Sequence, residues 1–497
     1  MEIEFKLSCT PEAAQGLSRQ LTRLTGAGPS RMHLQNTYYD TPNQDLRAQG
    51  IALRIRQQGK TALQTVKCAG LVSGGLSSRP EWETTYNGRF DFSPVSDPKV
   101  REQLETLMQL PGYRATLDTN FSRHIWHWRP AADTHVEIAL DRGRILAGGR
   151  EEAICEIELE LIEGTPERLL DLVAHLATLA PLFPAPLSKA SRGSLLLGAS
   201  VKSALPQDTR AGNCSDIFIT LAQHCLDQIS INLPVNCSRF SAENLHQVRT
   251  GLRRLRALLQ LFQPLLRRAW PHKPISAGAR HYMATLAPAR DLYVLQNEIV
   301  TPALSTIAPR KRQPLQTQLA RMSEAALADA EHHLLSAEFS TWLLHTSLAL
   351  HTRPLRRKAA GQTWARQSAK LLAPRLADYD KHLRRTKESP EAMHLLRKSG
   401  KHLRYQLAVS EPDHVPRQLA AIGHLAKLQD TLGSLNDLYS AAHYLGHLPL
   451  SYTATITAIG AHHVDRHKAL QKQATNQIRR LRPEIRTLRA AYRKTST

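Results

Sequence analysis

The sequence has few aromatic residues, few cysteines and no long apolar run, and each of these absences excludes something. Phe, Trp and Tyr together make up 5% of the 497 residues. No run approaches the roughly eighteen apolar residues of a membrane span, so we expect no membrane segment. Because the sequence opens on a charged segment, we expect no signal peptide. The six cysteines form no CxxC pair, which predicts scattered reduced thiols in a cytoplasmic protein rather than a disulfide framework.

Charge is distributed very unevenly along the chain. Residues 1–200 hold 22 Lys+Arg and 23 Asp+Glu, whereas residues 201–497 hold 43 and 20. Eighteen of the 23 histidines also lie in the second part. We therefore expect the second region to bind a polyanion. Because periodic patterns lapse near residues 198–213, we predict domains at 1–200 and 214–497, joined by a linker at 201–213.

Two segments alternate charged and apolar residues, as β-strands with one charged face do. They are residues 1–7 (MEIEFKL) and 155–161 (CEIELEL). A solvated surface strand would show the same alternation. Its recurrence with carboxylates at every second position favours a cation site, because Mg²⁺ and Mn²⁺ prefer carboxylate oxygens. The carboxylates concerned are Glu2, Glu4, Glu156, Glu158 and Glu160.

Six further short strands are predicted between these two, with helices at 11–25, 98–110 and 166–179. The strands lie at 35–41, 51–56, 63–68, 79–83, 121–126 and 136–141. Eight strands with few helices suggest a closed antiparallel barrel within an α+β fold, followed by an all-α region. If the charged faces point outward, the region is an ordinary sandwich with a salt-bridged surface. If they point inward, the barrel encloses a tunnel of mixed charge and helices cover its apolar exterior.

Residues 1–200 resemble the CYTH family, also called triphosphate tunnel metalloenzymes. The resemblance is carried by Glu2-x-Glu4-x-Lys6, Leu53–Arg56, Thr65–Lys67, the Glu156-x-Glu158-x-Glu160 strand and Lys189–Gly193. It implies an eight-stranded tunnel that hydrolyses or cyclises triphosphates with Mg²⁺ or Mn²⁺. By this resemblance Glu2, Glu4, Glu156 and Glu158 hold the metal, and Glu2, Glu4 and Lys6 are catalytic. The residues expected to bind phosphate are Lys6, Arg54, Arg56, Lys67, Arg79, Arg123, Lys189 and Arg192.

Five other acidic residues keep open roles. Glu160, Glu81 and Glu137 fit the lumen, Glu81 and Glu83 are equally well explained as structural salt bridges, and Asp141 is either a ligand or a cap on a loop. The family includes inorganic triphosphatases, thiamine triphosphatases and class IV adenylate cyclases. We find no segment that indicates an adenine pocket, and many basic side chains with few aromatics favour inorganic triphosphate as the substrate.

The second region contains a basic stripe that occurs twice. His246, Arg249, Arg253 and Arg256 fall on one face of a predicted helix, and His394, Arg397, Lys401 and Arg404 repeat the pattern 148 residues later. Residues 285–293 and 431–439 also correspond, which indicates a duplication with repeats at about 214–350 and 355–497. A zinc site is not expected, because His246 has no His or Cys one turn away. Such stripes suit phosphate oxygens, although a single one is usually just a solvated face.

This arrangement resembles the CHAD domain, a duplicated helical module whose histidines and basic residues bind polyphosphate. Lys401 departs from the first repeat, where Arg253 stands, and so loses the bidentate fork. Long-chain polyphosphate is thus the expected partner, with polyphosphate granules as an expected location, and the basic segment 467–494 adds nonspecific affinity for anions. Two rivals stay open: a non-catalytic polyphosphate-binding scaffold, and a tunnel enzyme for thiamine triphosphate or ATP. Nucleic-acid binding is disfavoured by the scarcity of aromatics beside the stripes.

Overall fold

The chain forms two compact units. The computed structural model describes residues 2–68, 70–73, 76–109, 112–198, 212–237, 239–385, 390–410 and 415–496, and the side chains of Glu2 and Arg79 lie outside what it describes. The first unit contains the sheet and also includes Ser230–Phe240 and Leu334–His351. The second is helical. These two short segments lie beyond residue 214 and yet belong to the sheet unit. The domain limits drawn from the sequence stay a prediction.

The sheet unit is built from antiparallel strands with helices on their apolar side. The strands are β1 (Glu2–Ser8), β2 (Ser30–Asp40), β3 (Ile51–Gln58), β4 (Thr61–Cys68), β5 (Leu71–Ser73), β6 (Leu76–Arg79), β7 (Glu81–Thr85), β8 (Arg114–Ala131), β9 (Thr134–Ala147), β10 (Arg150–Glu163) and β11 (Phe183–Pro184). The helices are α1 (Pro11–Thr25), α2 (Asp45–Ala48), α3 (Pro98–Met108), α4 (Pro166–Leu176) and α5 (Lys189–Leu196).

The order of strands confirms the predicted class and corrects the barrel. Neighbouring strands run β5-β6-β1-β10-β9-β8-β2-β3-β4-β7, with β11 on β1. All of these pairs are antiparallel. Within the described residues no ladder joins β7 to β5, so the hydrogen-bonded ring expected from the sequence is open. Side chains from eight strands nevertheless line one cavity, and the sheet therefore still curves around a common interior.

The strand predicted at 79–83 is in fact two strands. Pro80 separates β6, which pairs with β1, from β7, which pairs with β4. Proline lacks an N–H and so interrupts a ladder. The sequence predicts Arg79 and Glu81 on one side of one strand. They belong instead to two strands, β6 near one end of the strand order and β7 at the other.

The apolar face of the alternating strands is the core of the sheet unit. Phe5 and Leu7 of β1 are completely buried with Ile157 and Leu159 of β10. Helices α1 and α4 cover this face with leucines and a valine, namely Leu17, Leu21, Leu169, Leu172 and Val173. Burying one such side chain stabilises the fold by about 1.5–3 kcal/mol. This packing turns the charged face of each strand toward the interior of the curved sheet.

The second unit is all helical, as predicted. Its helices are α6 (Cys214–Ile231), α7 (Ala242–Phe262), α8 (His272–Thr285), α9 (Ala287–Val294), α10 (Thr301–Ala303), α11 (Pro309–Leu335), α13 (Arg357–Ala360), α14 (Trp364–Arg385), α15 (Pro390–Ala408), α16 (Val415–Gly446) and α17 (Thr453–Ser496). The last two residues of α6 and of α11, and the whole of α12 (Ala337–Leu350), belong to the sheet unit. Among the described helices, none combines the length and the apolar character that crossing a membrane requires.

Candidate active site

A charged cavity of about 290 Å³ lies on the concave side of the sheet. Six acidic and six basic side chains line it, together with Tyr38, Phe121 and small residues of β3, β9 and α5. The acids are Glu4, Glu81, Glu83, Glu137, Glu158 and Glu160, and the bases are Lys6, Arg54, Arg56, Lys67, Arg123 and Lys189. The inward orientation, which the composition alone left undecided, is therefore the one the chain adopts.

Three carboxylates form a row across β1, β10 and β9. Glu4 is directly opposite Glu160, and Glu160 is directly opposite Glu137. All three line the cavity. Cross-strand neighbours on one face lie about 5 Å apart, and like charges in such pairs repel. The row is therefore suited to a divalent cation, and its carboxylate oxygens are the ligands that Mg²⁺ and Mn²⁺ prefer.

A second acidic cluster lies beside this row and already holds a cation of the chain itself. The carboxylates of Asp141, Glu156 and Glu158 offer oxygens within 4.8 Å of one another. The Lys189 ammonium contacts all three, at 2.7 Å from Asp141, 2.5 Å from Glu156 and 3.0 Å from Glu158. Asp141 was expected just before a turn, but it lies inside β9 and is completely buried. A divalent ion binding here must therefore displace the ammonium.

Glu158 contacts three cationic side chains. It accepts from Lys6 at 3.0 Å, from Lys189 and from Arg123. Burial alone would raise the pKa of this carboxyl, but Lys189, Lys6 and Arg123 hold it well below the ordinary value. Burial would likewise lower the pKa of Lys6, yet the carboxylates of Glu158 and Glu4 raise it. Glu158 and Lys6 therefore stay charged across the physiological pH range.

The opposite wall of the cavity, on β3 and β4, is basic. Arg54 donates to the Tyr38 hydroxyl at 3.4 Å, and its Nε and Nη2 are buried without a hydrogen-bond acceptor among the described residues. Burial and the neighbouring Arg54 lower the pKa of Arg56 to about 10. Lys67 forms an ion pair with Glu81 at 2.6 Å, and Arg56 lies 3.7 Å from Glu83. Glu81 and Glu83 thus form salt bridges while also lining the cavity.

Arg192 and Glu156 lie behind the cavity rather than on its lining. The Arg192 guanidinium donates to Glu152 at 2.6 Å and to Glu156 at 2.9 Å, and it also donates to the carbonyl of Ala153. Glu156 is completely buried between Arg192 and Lys189. The phosphate-binding role predicted for Arg192 stays a prediction, and these contacts instead favour a structural role that fixes α5 to β10.

Replacing Arg192 by Met should lower the stability of the sheet unit by about 3 kcal/mol, because the buried Glu152 loses its guanidinium partner and Glu156 keeps only Lys189. Calorimetric unfolding of the variant measures this loss, with the exposed Arg168→Met as the control. A phosphate ligand behaves differently. An unchanged thermal midpoint with a raised KM for a phosphate substrate would return Arg192 to the binding site.

In the helical unit, α7 and α15 carry the two basic stripes. Burial first, and then the cationic neighbours Arg253, Arg397 and Arg249, lower the pKa of Lys401 to about 7. These four side chains, two from each repeat, therefore share one site. Buried guanidinium Nε atoms in this region lack a hydrogen-bond acceptor among the described residues: those of Arg253, Arg256, Arg397 and Arg404. Such a cluster of like charges is suited to an anion.

The other stripe residues lie around this centre. Arg404 stacks on the ring of Tyr405 at 4.8 Å, and Arg256 lies near Arg280. Burial lowers the pKa of both His246 and His394, so both imidazoles are neutral above pH 7. Two acids that were not predicted, Asp291 and Asp437, belong to the same cluster, since Arg397 influences the pKa of each. They occupy matching positions in the repeated segments 285–293 and 431–439.

Comparison with known families finds a match for each part of the chain. Residues 1–194 match the CYTH domain family. Residues 220–446 match the CHAD domain family. The chain is a CYTH domain followed by a CHAD domain.

Curated relatives of this CYTH–CHAD chain cover it to different extents. An inorganic triphosphatase of Haemophilus influenzae is 34% identical over 197 residues, which are 39% of this chain and 54% of that protein. The match thus spans about half the length of that relative. A Mycobacterium tuberculosis protein described as uncharacterised is 25% identical over 446 residues, 82% of each chain.

Solved structures resemble each half of the CYTH–CHAD chain separately. The CHAD domain of the plant Ricinus communis covers 58% of this chain and 96% of its own, with 22% identity and a TM-score of 0.44. A Hippeastrum protein described as an adenylyl cyclase with a dominant triphosphatase activity covers 41% and 98%, with 21% identity and a TM-score of 0.30. Both scores are low, so the fold described above rests on the chain's own structure.

Proposed function

We propose that the CYTH domain hydrolyses inorganic triphosphate to pyrophosphate and phosphate with Mg²⁺ or Mn²⁺, and that the CHAD domain binds long-chain polyphosphate. The observation that carries the first part is a single cavity with a row of carboxylates on one wall and Arg54, Arg56 and Lys67 on the other. A metal-bound triphosphate matches both walls, since its oxygens need cations on every side.

The residues of the basic wall bind and orient the chain of phosphates. Arg54 Nε and Nη2 are buried without a hydrogen-bond acceptor among the described residues, and Nη2 lies 3.7 Å from Glu81 Oε1. Lys67 and Arg56 add charge beside them. Lys6, held protonated by Glu158 and Glu4, donates a hydrogen bond to a phosphate oxygen and neutralises charge that develops on the leaving group. Burial of Glu4 and Lys6, 5% and 6% exposed, keeps bulk water from screening these contacts.

Metal binding would fall to Glu4, Glu160 and Glu137, with Glu158 beside them. The family resemblance also indicates Glu2 and Glu156. The side chain of Glu2 lies outside the described residues, and Glu156 is paired with Lys189 and Arg192. A divalent metal held there would supply Lewis-acid chemistry, which neutralises phosphate charge and lowers the pKa of an attacking water. The carboxylates of the row orient that water by accepting its hydrogen bonds.

A bare triphosphate fits the lining better than a nucleotide. Tyr38 and Phe121 are the aromatic members of the lining, and Phe121 is already covered by the Lys189 ammonium at 4.8 Å from its centroid. A base therefore finds little aromatic surface on which to stack. The relative from Haemophilus influenzae, named for inorganic triphosphate, supports the same choice.

The proposal is tested by following the products of tripolyphosphate with ³¹P NMR. The purified chain should release one phosphate and one pyrophosphate per triphosphate with Mg²⁺ or Mn²⁺, and EDTA should stop the reaction. ATP, thiamine triphosphate, pyrophosphate and polyphosphate are run in parallel. Turnover of tripolyphosphate no faster than that of ATP or pyrophosphate contradicts the substrate assignment.

Polyphosphate binding by the CHAD domain is supported by the two stripes meeting in one cluster. Its cations outnumber the acids Asp291 and Asp437. Burial raises the pKa of both acids, so their charged forms, which would neutralise the cations, are disfavoured. Repeating phosphates with one charge per unit suit a row of such cations. The competing outcome is nucleic acid, and competition between polyphosphate and DNA at fixed salt separates the two.

Lys401 gives this binding a pH dependence. With a pKa of about 7, the free ammonium loses its proton as pH rises above 7 and must regain it to bind an anion. Affinity should therefore fall by up to about tenfold per pH unit between about pH 7 and pH 9. Titration calorimetry in two buffers of different ionisation heat measures the proton uptake. Lys401→Arg should remove it and Lys398→Arg, an exposed control, should retain it; uptake that persists in Lys401→Arg contradicts the assignment.

The runner-up is a non-catalytic polyphosphate-binding protein located at granules. It predicts tight polyphosphate binding with no phosphate release from any triphosphate, with or without metal. The cavity argues against it, because a scaffold has no need for six acids and six bases facing one another.

A further inference from the structure

Two cysteines that are far apart in the sequence lie side by side in the sheet unit. Cys155 lies in β10, and Cys9 follows directly after β1. The Cys9 amide donates to the Cys155 carbonyl at 3.1 Å, and the two Sγ atoms are 3.7 Å apart. Ser8 pairs with Glu156 in the ladder, so the same register sets Cys9 directly opposite Cys155.

This pairing suits a cross-strand disulfide. Directly opposite residues of a hydrogen-bonded antiparallel pair have Cα atoms about 5.5 Å apart, within the roughly 4.4–6.8 Å that disulfides span. Closing the sulfurs to about 2.0 Å requires a movement of less than about 2 Å. Side-chain rotation supplies most of this, so the backbone ladder need not break.

The two thiols differ in access. Cys9 is 1% exposed and packs in the core with Phe5 and Leu7, whereas Cys155 is partly exposed. A small oxidant therefore reaches Cys155 first and finds Cys9 in contact behind it. An accessible sulfur with a second sulfur in reach is the usual arrangement of reversible thiol oxidation.

We propose that Cys9 and Cys155 form a reversible disulfide when the protein meets a peroxide. The Cys155 sulfur attacks a peroxide oxygen, the O–O bond breaks, and Cys155 becomes a sulfenic acid while water leaves. The Cys9 sulfur then attacks the Cys155 sulfur and the S–O bond breaks. The hydroxyl of the sulfenic acid leaves as a second water with the proton of the Cys9 thiol. Hydrogen peroxide is reduced by two electrons, and the pair of thiols is oxidised by two.

The bond would join the two strands that carry Glu4, Lys6 and Glu158 without entering the cavity. Both sulfurs lie on the apolar face of the sheet, opposite to the face that lines the cavity. Closing a loop of this length restricts the unfolded chain, so the thermal midpoint should rise by roughly 5–10 °C. The inference does not depend on the catalytic proposal.

The test is to treat the reduced full-length chain with hydrogen peroxide and then denature it in the presence of N-ethylmaleimide, which labels the remaining free thiols. The peptides are then mapped. The expected result is a Cys9–Cys155 linked peptide, a mass lower by two hydrogen atoms, and two fewer maleimide labels, all reversed by dithiothreitol. Cys225→Ser, a buried cysteine of the helical unit, is the matched control and should still form the link.

Single variants make the outcome decisive. Cys155→Ser should keep all of its remaining thiols at the same peroxide dose, and Cys9→Ala should instead accumulate a sulfenic acid on Cys155 that dimedone traps. Because Cys155 is partly exposed, its Ser variant tests the link even if the core variant folds poorly. Equal label loss in the parent and in Cys155→Ser overturns the proposal, as does a parent chain with no linked peptide.

Discussion

Glu4→Gln is expected to lower kcat for metal-dependent triphosphate hydrolysis by about 100- to 1,000-fold while the fold stays intact. Glu4 is 5% exposed, lines the cavity and stands directly opposite Glu160. Glutamine keeps the shape of the side chain but removes the negative charge that a hard cation requires. Phosphate release measured over a range of Mn²⁺ and Mg²⁺ concentrations should therefore show weaker metal binding, as a higher half-saturating metal concentration, as well as a lower maximum rate.

Glu102→Gln makes the same chemical change on an exposed face of α3 and serves as its control. It should match the parent in rate and in metal dependence. Circular dichroism and the thermal midpoint report on folding in both variants. A well-folded Glu4→Gln protein with parental kcat would remove the carboxylate row from the reaction.

The second large effect is expected in the helical unit, from Arg253→Ala combined with Arg397→Ala. These residues come from different repeats and both influence Lys401. Each charge-assisted contact with an anion contributes about 1.5–3 kcal/mol, so the dissociation constant for long-chain polyphosphate should rise about 100-fold or more. Binding measured by fluorescence anisotropy at several salt concentrations should also show a shallower salt dependence, because fewer ions are exchanged.

Arg479→Ala with Arg480→Ala removes the same charge from an exposed part of α17. If the stripes form the site, this control should change the dissociation constant only a few-fold. Equal losses in the two double variants would mean that affinity follows overall charge, and that the repeated stripes have no special part in it.

Much of the sheet unit follows from local sequence. Alternation in residues 1–7 predicts which face of β1 is apolar, and Phe5 and Leu7 are indeed in the core. The first helix also follows from local signals, since Thr10 accepts from the Ala13 amide and Pro11 begins α1 at the predicted residue. Period and capping depend only on neighbouring residues, so the sequence contains them.

Register and long-range pairing are not contained in local patterns. Nothing in the sequence indicates that Glu4 faces Glu160 and that Glu160 faces Glu137, because register depends on how whole strands pack. The clear alternation stops at residue 141, so the sequence predicts that Asp141 ends its strand, whereas β9 continues to Ala147. Pro80 was a missed signal, as a residue without an N–H within a predicted strand should have divided it.

The helical unit shows the same division. The repeated stripes were visible from spacing alone, but their meeting in one cluster is a tertiary fact. Asp291 and Asp437 were within reach of sequence reasoning, because they occupy the same place in both repeated segments. Their burial among arginines was not.

The most direct test of the central claim is a crystal structure of the chain with Mn²⁺ and a triphosphate whose bridging oxygens resist hydrolysis. The account predicts anomalous density for manganese beside the Glu4 carboxylate and phosphates against Arg54, Arg56 and Lys67. Manganese held elsewhere, or a triphosphate bound only in the helical unit while the cavity keeps its own ion pairs, would contradict it.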